Sequence, residues 1–322
     1  MPNGTSIPLF DSHAHLVADD EVHYPRNPVP RNPDSPKRPP GTVGIPGGHH
    51  GPHPVHEVPD TSRLLPWMQE ENVQGAVAVQ KRMIYRYDNR YILDSCDEYP
   101  DLLLPVIIPD AEDPDTPAFV RTCAQQHGLA GVRLFGLRKA DGKTPWLNSP
   151  QALKTWDVAQ EYGLVMDLEI IGHGGAGDAI PAVLELARDY PDVPIVLDHM
   201  LEPEVLKPGY GLDGRFDALT GQFSIFLKFT SINLDILREA GVDAPGFLRA
   251  ATDRFGANQI MWGSDIGTSS GSYKEMVARM IAAASLLNDW EKRAIYSETG
   301  RRVFLRGGQK GNATRRLAEP TA

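Results

Sequence analysis

Eight short apolar runs, spaced along 322 residues and separated by segments of helical periodicity, set the narrowest limit on what this chain can fold into. The runs cover residues 7–11, 73–80, 102–109, 129–135, 164–170, 193–198, 225–229 and 259–263. Each is rich in Val, Ile, Leu or Phe and poor in charge. A strand with one wet face alternates apolar and polar residues. A run that is apolar throughout fits a strand buried on both faces, as in a parallel sheet. Between the runs lie amphipathic segments. Residues 178–190 place Ile180, Val183, Leu184 and Ala187 at helical spacing, 272–287 set Glu275 and Arg279 four residues apart, and 289–305 read as a closing helix. Eight strands alternating with helices predict an α/β fold, a (β/α)8 TIM barrel. An open doubly wound sheet is the alternative, but no G-x-G-x-x-G follows the first run, and the stretch 172–177 lacks the Lys-Ser/Thr of a phosphate loop.

One stretch interrupts the rhythm. Twelve prolines fall between Pro25 and Pro66, together with Gly47, Gly48, Gly51 and the histidines His49, His50, His53 and His56. Regular structure does not survive that composition. The expected organisation is a single barrel domain over 1–306, carrying a Pro/Gly/His-rich loop insertion at 19–60 that lies over the barrel mouth, followed by a mobile tail at 307–322. A disordered insertion is the alternative for the loop.

Composition removes several classes of function. The net charge of −10 leaves no basic surface for a nucleic-acid groove. Two cysteines, Cys96 and Cys123, make neither a disulfide framework nor a thiolate zinc site. No apolar stretch approaches the roughly 20 residues of a membrane helix, and the first ten residues lack a secretory pattern. The expectation is a cytoplasmic protein acting on a small molecule, with no nucleic-acid or membrane partner and with self-association into a homo-oligomer allowed.

Three motifs sit where a barrel places chemistry, at the C-terminal ends of strands. Asp11-Ser12-His13-Ala14-His15 closes the first run, and residues two apart in a strand share a face, so His13 and His15 project together. Two adjacent imidazoles suit a divalent cation or the direct polarisation of a substrate oxygen. Asp198-His199 closes the sixth run, with His199 directed at the mouth and Asp198 to the other side. Trp262-Gly263-Ser264-Asp265 closes the eighth, and strand eight neighbours strand one in a closed barrel. Asp265 is then a carboxylate beside two histidines, able to bind metal or to act as a base on water. Loop histidines, a structural histidine and a helix N-cap are the corresponding bland readings.

Together these motifs resemble the amidohydrolase superfamily, most closely the branch of 2-pyrone-4,6-dicarboxylate lactonase and the sugar lactonases. Tyr87-Asp88-Asn89-Arg90-Tyr91 and Gly131-Val132-Arg133-Leu134-Phe135 match as well, and the resemblance spans nearly the whole chain. It implies hydrolysis of a lactone of a carboxylate or sugar acid. Asp265 then activates water, and His13, His15 and His199 hold a metal or polarise the carbonyl. A non-oxidative decarboxylase or hydratase of an aromatic or enol carboxylate uses the same barrel and is the alternative. Many metal-dependent members carry a histidine at the end of strand five. This chain has Glu169 there, which offers an oxygen ligand, and His173 in the loop beyond. The cofactor expectation is one divalent ion, Zn or Mn, bound by His13, His15, Glu169 and Asp265, with a metal-independent mechanism left open. Arg133, Tyr85, Arg86, Lys228, His173 and His50 are the substrate-binding candidates. Arg133 is inward-pointing between Val132 and Leu134. Lys228, inside an apolar run, needs a partner such as Asp265, Glu169 or substrate.

Overall fold

The computed structural model describes residues 7–28, 58–138, 143–172, 176–269 and 271–305. Most of the proposed loop insertion, with His49, His50, His53 and His56, lies outside them, as do His173 and the proposed tail.

Eight parallel strands form one sheet in sequence order: β1 Leu9–His15, β2 Val73–Val79, β3 Leu103–Ile107, β4 Gly131–Arg138, β5 Val165–Gly172, β6 Ile195–Leu197, β7 Ile225–Thr230 and β8 Ile260–Gly263. Helices lie between them, and the sheet closes where Ala14 of β1 bridges Ile266 just beyond β8. This is the (β/α)8 barrel predicted by the eight runs. β1 extends further than its apolar run, to His15, so both histidines belong to the strand itself.

Two apolar layers explain the runs. Outward side chains such as Leu103, Val132, Leu168, Leu227 and Trp262 pack beneath the helices. Inward ones, among them Val77, Val106, Val165, Val196, Phe226 and Met261, fill the lower barrel with Val303 and Phe304 from the last helix. Further along the same inward rows the residues turn polar: Val165 is followed by Asp167 and Glu169, Phe226 by Lys228 and Thr230, Val77 and Val79 by Lys81. All of these polar residues are buried. The interior is therefore an apolar plug beneath a charged chamber at the C-terminal ends of the strands.

The closing helix runs as expected from Asp289 to residue 305, with a π-helical segment at Ala294–Glu298. The helix Tyr273–Ala283 begins with a capping box in which Glu275 turns back to Ser272, while Arg279 reaches across to the buried Asp235. No helix among the described residues is long and apolar enough to cross a membrane.

Candidate active site

β1 carries the first two side chains. His13 and His15 are both buried, with Nε2 atoms 3.4 Å apart. His15 Nδ1 lies 2.9 Å from the Val79 carbonyl, which can only accept, so Nδ1 holds the proton and Nε2 presents a lone pair. Burial, aided by the nearby Lys81 charge, pulls His15 down to about 4, so the ring is neutral. Burial likewise holds His13 well below the ordinary histidine range against the opposing field of Asp198.

The turn after β8 brings the carboxylate. A Cβ on Gly263 would stand 2.7 Å from His13 Cβ, so only glycine lets β8 lie this close to β1. Asp265 then turns into the left-handed region at φ 51°, and its N–H donates to the His13 carbonyl at 2.7 Å. Asp265 Oδ1 lies 3.2 Å from His15 Nε2 and 3.6 Å from His13 Nε2, and Oδ2 accepts from the Ser269 hydroxyl. Burial alone would raise this carboxyl. The close His15 contact and the field of the charged His199 outweigh it and hold Asp265 below the usual carboxylate range.

His199 arrives on an unusual backbone. His199, Met200, Leu201 and Glu202 have φ of 51°, 54°, 57° and 46°, one turn of left-handed helix without glycine. The turn is held by burial of Met200 and Leu201 and by Asn233, whose amide donates to the His199 carbonyl. His199 Nδ1 lies 2.7 Å from the Thr230 hydroxyl and Nε2 lies 3.2 Å from Glu169. Burial opposes protonation, but the adjacent Glu169 carboxylate prevails and lifts His199 to about 9. This imidazole is a cation at neutral pH.

The same left-handed turn corrects one expectation. Asp198 does not point away from the mouth. Strict alternation fails when the backbone leaves the β region at His199, and both neighbours face inward. Asp198 accepts from Arg133 Nε at 2.6 Å and lies 3.1 Å from Lys228 Nζ and 3.3 Å from His13 Nδ1. Lys228 has no exposed surface. It pairs with Asp167 and stands 3.1 Å from His13 Nδ1, so its partners are Asp167, Asp198 and His13 rather than Asp265 or Glu169. Arg133 bridges Asp198 and Glu169, at 3.2 Å from the latter.

A cleft with about 290 Å³ of empty space opens onto this chamber, its walls including His15, His199, Asp265 and Arg133. Tyr85 and Arg86 are not on its walls: the Tyr85 hydroxyl accepts from Ala18 N, and Arg86 points toward the Pro28 carbonyl. Their place is taken by Lys81, Arg82 and Met83, with Phe135 and Thr268 opposite. Lys81 was legible in principle, as the next inward position after Val77 and Val79. A larger groove, lined by Arg63, Trp67 and Tyr273 among others, contains none of the imidazoles.

The residues present fit a divalent ion. His13 Nε2, His15 Nε2 and Asp265 Oδ1 form a triangle with sides of 3.2, 3.4 and 3.6 Å. Two donors each ~2.0–2.1 Å from a tetrahedral zinc stand roughly 3.4 Å apart. Asp265 Oδ1 and Asp198 Oδ1 are both buried without a hydrogen bond. The first faces the triangle, and the second lies 3.3 Å from His13 Nδ1 on the outer side of that ring, where a ligating histidine is held. Glu169 lies apart from this triangle, grouped with Asp198 and His199.

Comparison with known proteins agrees with the architecture. The amidohydrolase family profile matches residues 10–306. The chain is 27% identical over 210 residues to L-fucono-1,5-lactonase of Burkholderia ambifaria, covering 63% of this chain and 68% of that protein. Among solved structures, one described as a 2-pyrone-4,6-dicarboxylic acid hydrolase from Pseudomonas putida superposes with a TM-score of 0.66 at 20% identity, covering 94% of this chain and 99% of that one. The 2,6-dihydroxybenzoate decarboxylase of Rhizobium superposes with a TM-score of 0.63 at 16% identity, covering 93% and 99%.

Proposed function

This chain belongs to the amidohydrolase family and is an enzyme of the hydrolase type, and on that premise we propose that it opens the ring of a lactone, with Asp265 activating water. The observation that carries this is the meeting of β1, β6 and β8 in one chamber, which sets the Asp265 carboxylate 3.2 Å from His15 Nε2 and beside a protonated His199. The sequence kinship to a fuconolactonase supports the same reading.

Asp265 is ionised across the physiological range, so it is always ready to accept a proton, and it is a weak base for the same reason. The step therefore needs strong stabilisation of the developing oxyanion. His199, charged and hydrogen-bonded on both nitrogens, is the fixed cation on the cleft wall. In the sequence we propose, Asp265 takes a proton from water as the oxygen attacks the ring carbonyl. The carbonyl oxygen gains negative charge opposite the imidazoles, the ring C–O bond breaks, and Asp265 returns the proton to the departing alkoxide. The product is the open hydroxy acid. His13, His15 and Asp265 are the residues that would hold a zinc or manganese ion, which when bound supplies Lewis acidity to an oxygen in the chamber. Two buried free thiols, Cys96 and Cys123, accord with the reducing cytoplasm we assign.

A second reading is kept because the decarboxylase of Rhizobium shares the fold. On that reading the chamber protonates a ring carbon as CO₂ leaves. The two separate in one experiment on purified protein: acid release from a lactone panel measured by pH-stat, with CO₂ trapped from hydroxybenzoate substrates in parallel. Acid release without CO₂ is the expected result. CO₂ evolution with no lactone opened would replace the first reading by the second.

A further inference from the structure

Besides His199, three cationic side chains line the cleft, and they are not equivalent. Arg133 is neutralised by Asp198 and Glu169. Lys81 and Arg82 have no carboxylate partner among the described residues. Lys81 is 8% exposed, and its ammonium donates to the Thr268 hydroxyl. The Arg82 guanidinium lies 4.6 Å over the Phe135 ring and 5.5 Å from that of Tyr87. Its Nη2 donates to the Tyr87 hydroxyl at 3.4 Å, and its Nε is buried without an acceptor. A buried cation without a counter-charge is expensive and does not persist in a fold without a use. Burial, against the weaker pull of Asp265, draws Lys81 down to about 8.

We propose that Lys81 and Arg82 form an anion subsite in the cleft, so that the substrate is a lactone bearing a free carboxylate rather than a neutral sugar lactone. The carboxylate is held between the Lys81 ammonium and the edge of the Arg82 fork, and the ring carbonyl is directed toward His15, His199 and Asp265 on the other wall. The ring chemistry rests on the lactonase reading, whereas the subsite can be tested apart from it.

The test uses the full-length protein and two charge-removing variants of similar length, Lys81→Met and Arg82→Met, each checked for an unchanged fold by circular dichroism. Calorimetric titration with succinate, and with its neutral diamide as control, measures the subsite directly. The parent should bind succinate and not the diamide, and each variant should weaken succinate at least tenfold. In kinetics, a 2-pyrone carboxylate is compared with its methyl ester, the same ring with the charge masked. The parent should prefer the acid at least tenfold in kcat/KM, and that ratio should fall at least tenfold in each variant through a rise in KM for the acid. Lactones opened with no preference for the acid, or with a preference both variants retain, would overturn the subsite and leave the lactonase reading standing. Succinate binding lost in both variants while no lactone is opened would do the reverse.

Discussion

Asp265 combines a reactive carboxylate with a backbone conformation that few residues accept. Its φ of 51° lies in the left-handed region, where Asn and Asp are tolerated and Ala is strained. Asp265→Asn therefore keeps the turn, the N–H bond to His13 and the fold, and removes only the base. Turnover of the best lactone should drop about a thousandfold or more, within the range set by loss of a general base, with the circular dichroism of the metal-free protein unchanged from the parent's. An Asn variant that is folded and hydrolyses at the parental rate would exclude Asp265 from the chemistry. Lys81 gives a pH prediction at the same scale. Its folded value of about 8 lies below the free lysine value of 10.5, so it is charged below pH 8 and neutral above. KM for an anionic substrate should rise as pH passes through about 8. Between that point and 10.5 the unfolded chain binds the extra proton, so this group makes the fold more stable as pH rises, and the lost affinity is not unfolding. A KM that stays flat from pH 7 to 9.5 would remove Lys81 from binding.

At the scale of elements, the inward ends of β4, β5 and β7 and the Asp198 that follows β6 form one buried ionic layer of Arg133, Asp167, Asp198 and Lys228 beneath the imidazoles. Lys228 faces two carboxylates there. Lys228→Met leaves the Asp167 carboxyl, already raised to about 7 by burial beside Asp198, without its cation, which should destabilise the protein by about 3–5 kcal/mol. The double change Lys228→Met with Asp167→Leu removes the stranded carboxyl and should recover much of that loss in urea unfolding. A double variant no more stable than the single one would show that packing, not charge, sets the effect. This layer marks how far the sequence could be read. The strands were legible because burial on both faces leaves continuous apolar runs, and His13, His15 and Asp265 because each closes such a run. The pairing of Lys228 with Asp167 was not legible, since partners 61 residues apart are chosen by barrel register rather than by spacing. Asp198 was misdirected because period-two alternation assumes extended backbone, and the chain abandons it one residue later. That left-handed turn costs roughly 1–2 kcal/mol per residue and leaves no signature in residues such as Met200 and Leu201. Lys81 was overshadowed by Arg82, Tyr85 and Arg86 because the curl of the chain after β2 decides which of these neighbours meets the cleft.

For the whole molecule, the closing seam between β8 and β1 is where stability and chemistry coincide. Seven strand pairs run through extended ladders, whereas closure rests on the single bridge from Ala14 to Ile266 and on contacts made by the site itself. The Asp11 carboxylate accepts from Ser264 N at 2.8 Å and from the Tyr273 hydroxyl at 3.0 Å, and the Asp265 N–H bonds the His13 carbonyl. The proposed ion site spans the same seam, with two imidazoles from β1 and a carboxylate from the turn after β8. An ion bound there would clasp the barrel shut, and because it binds the folded state alone its affinity adds to the stability of the fold. Protein stripped with chelator should melt several degrees lower than protein reloaded with one equivalent of zinc or manganese, by elemental analysis and calorimetry. Amide exchange should slow on loading in β1 and in the residues just after β8, more than in β4 and β5 across the barrel. Asp265→Asn, which keeps the turn but weakens one ligand, should lose most of that gain. Stoichiometric loading that leaves both the melting temperature and the seam amides unchanged would place the ion somewhere other than between β1 and β8.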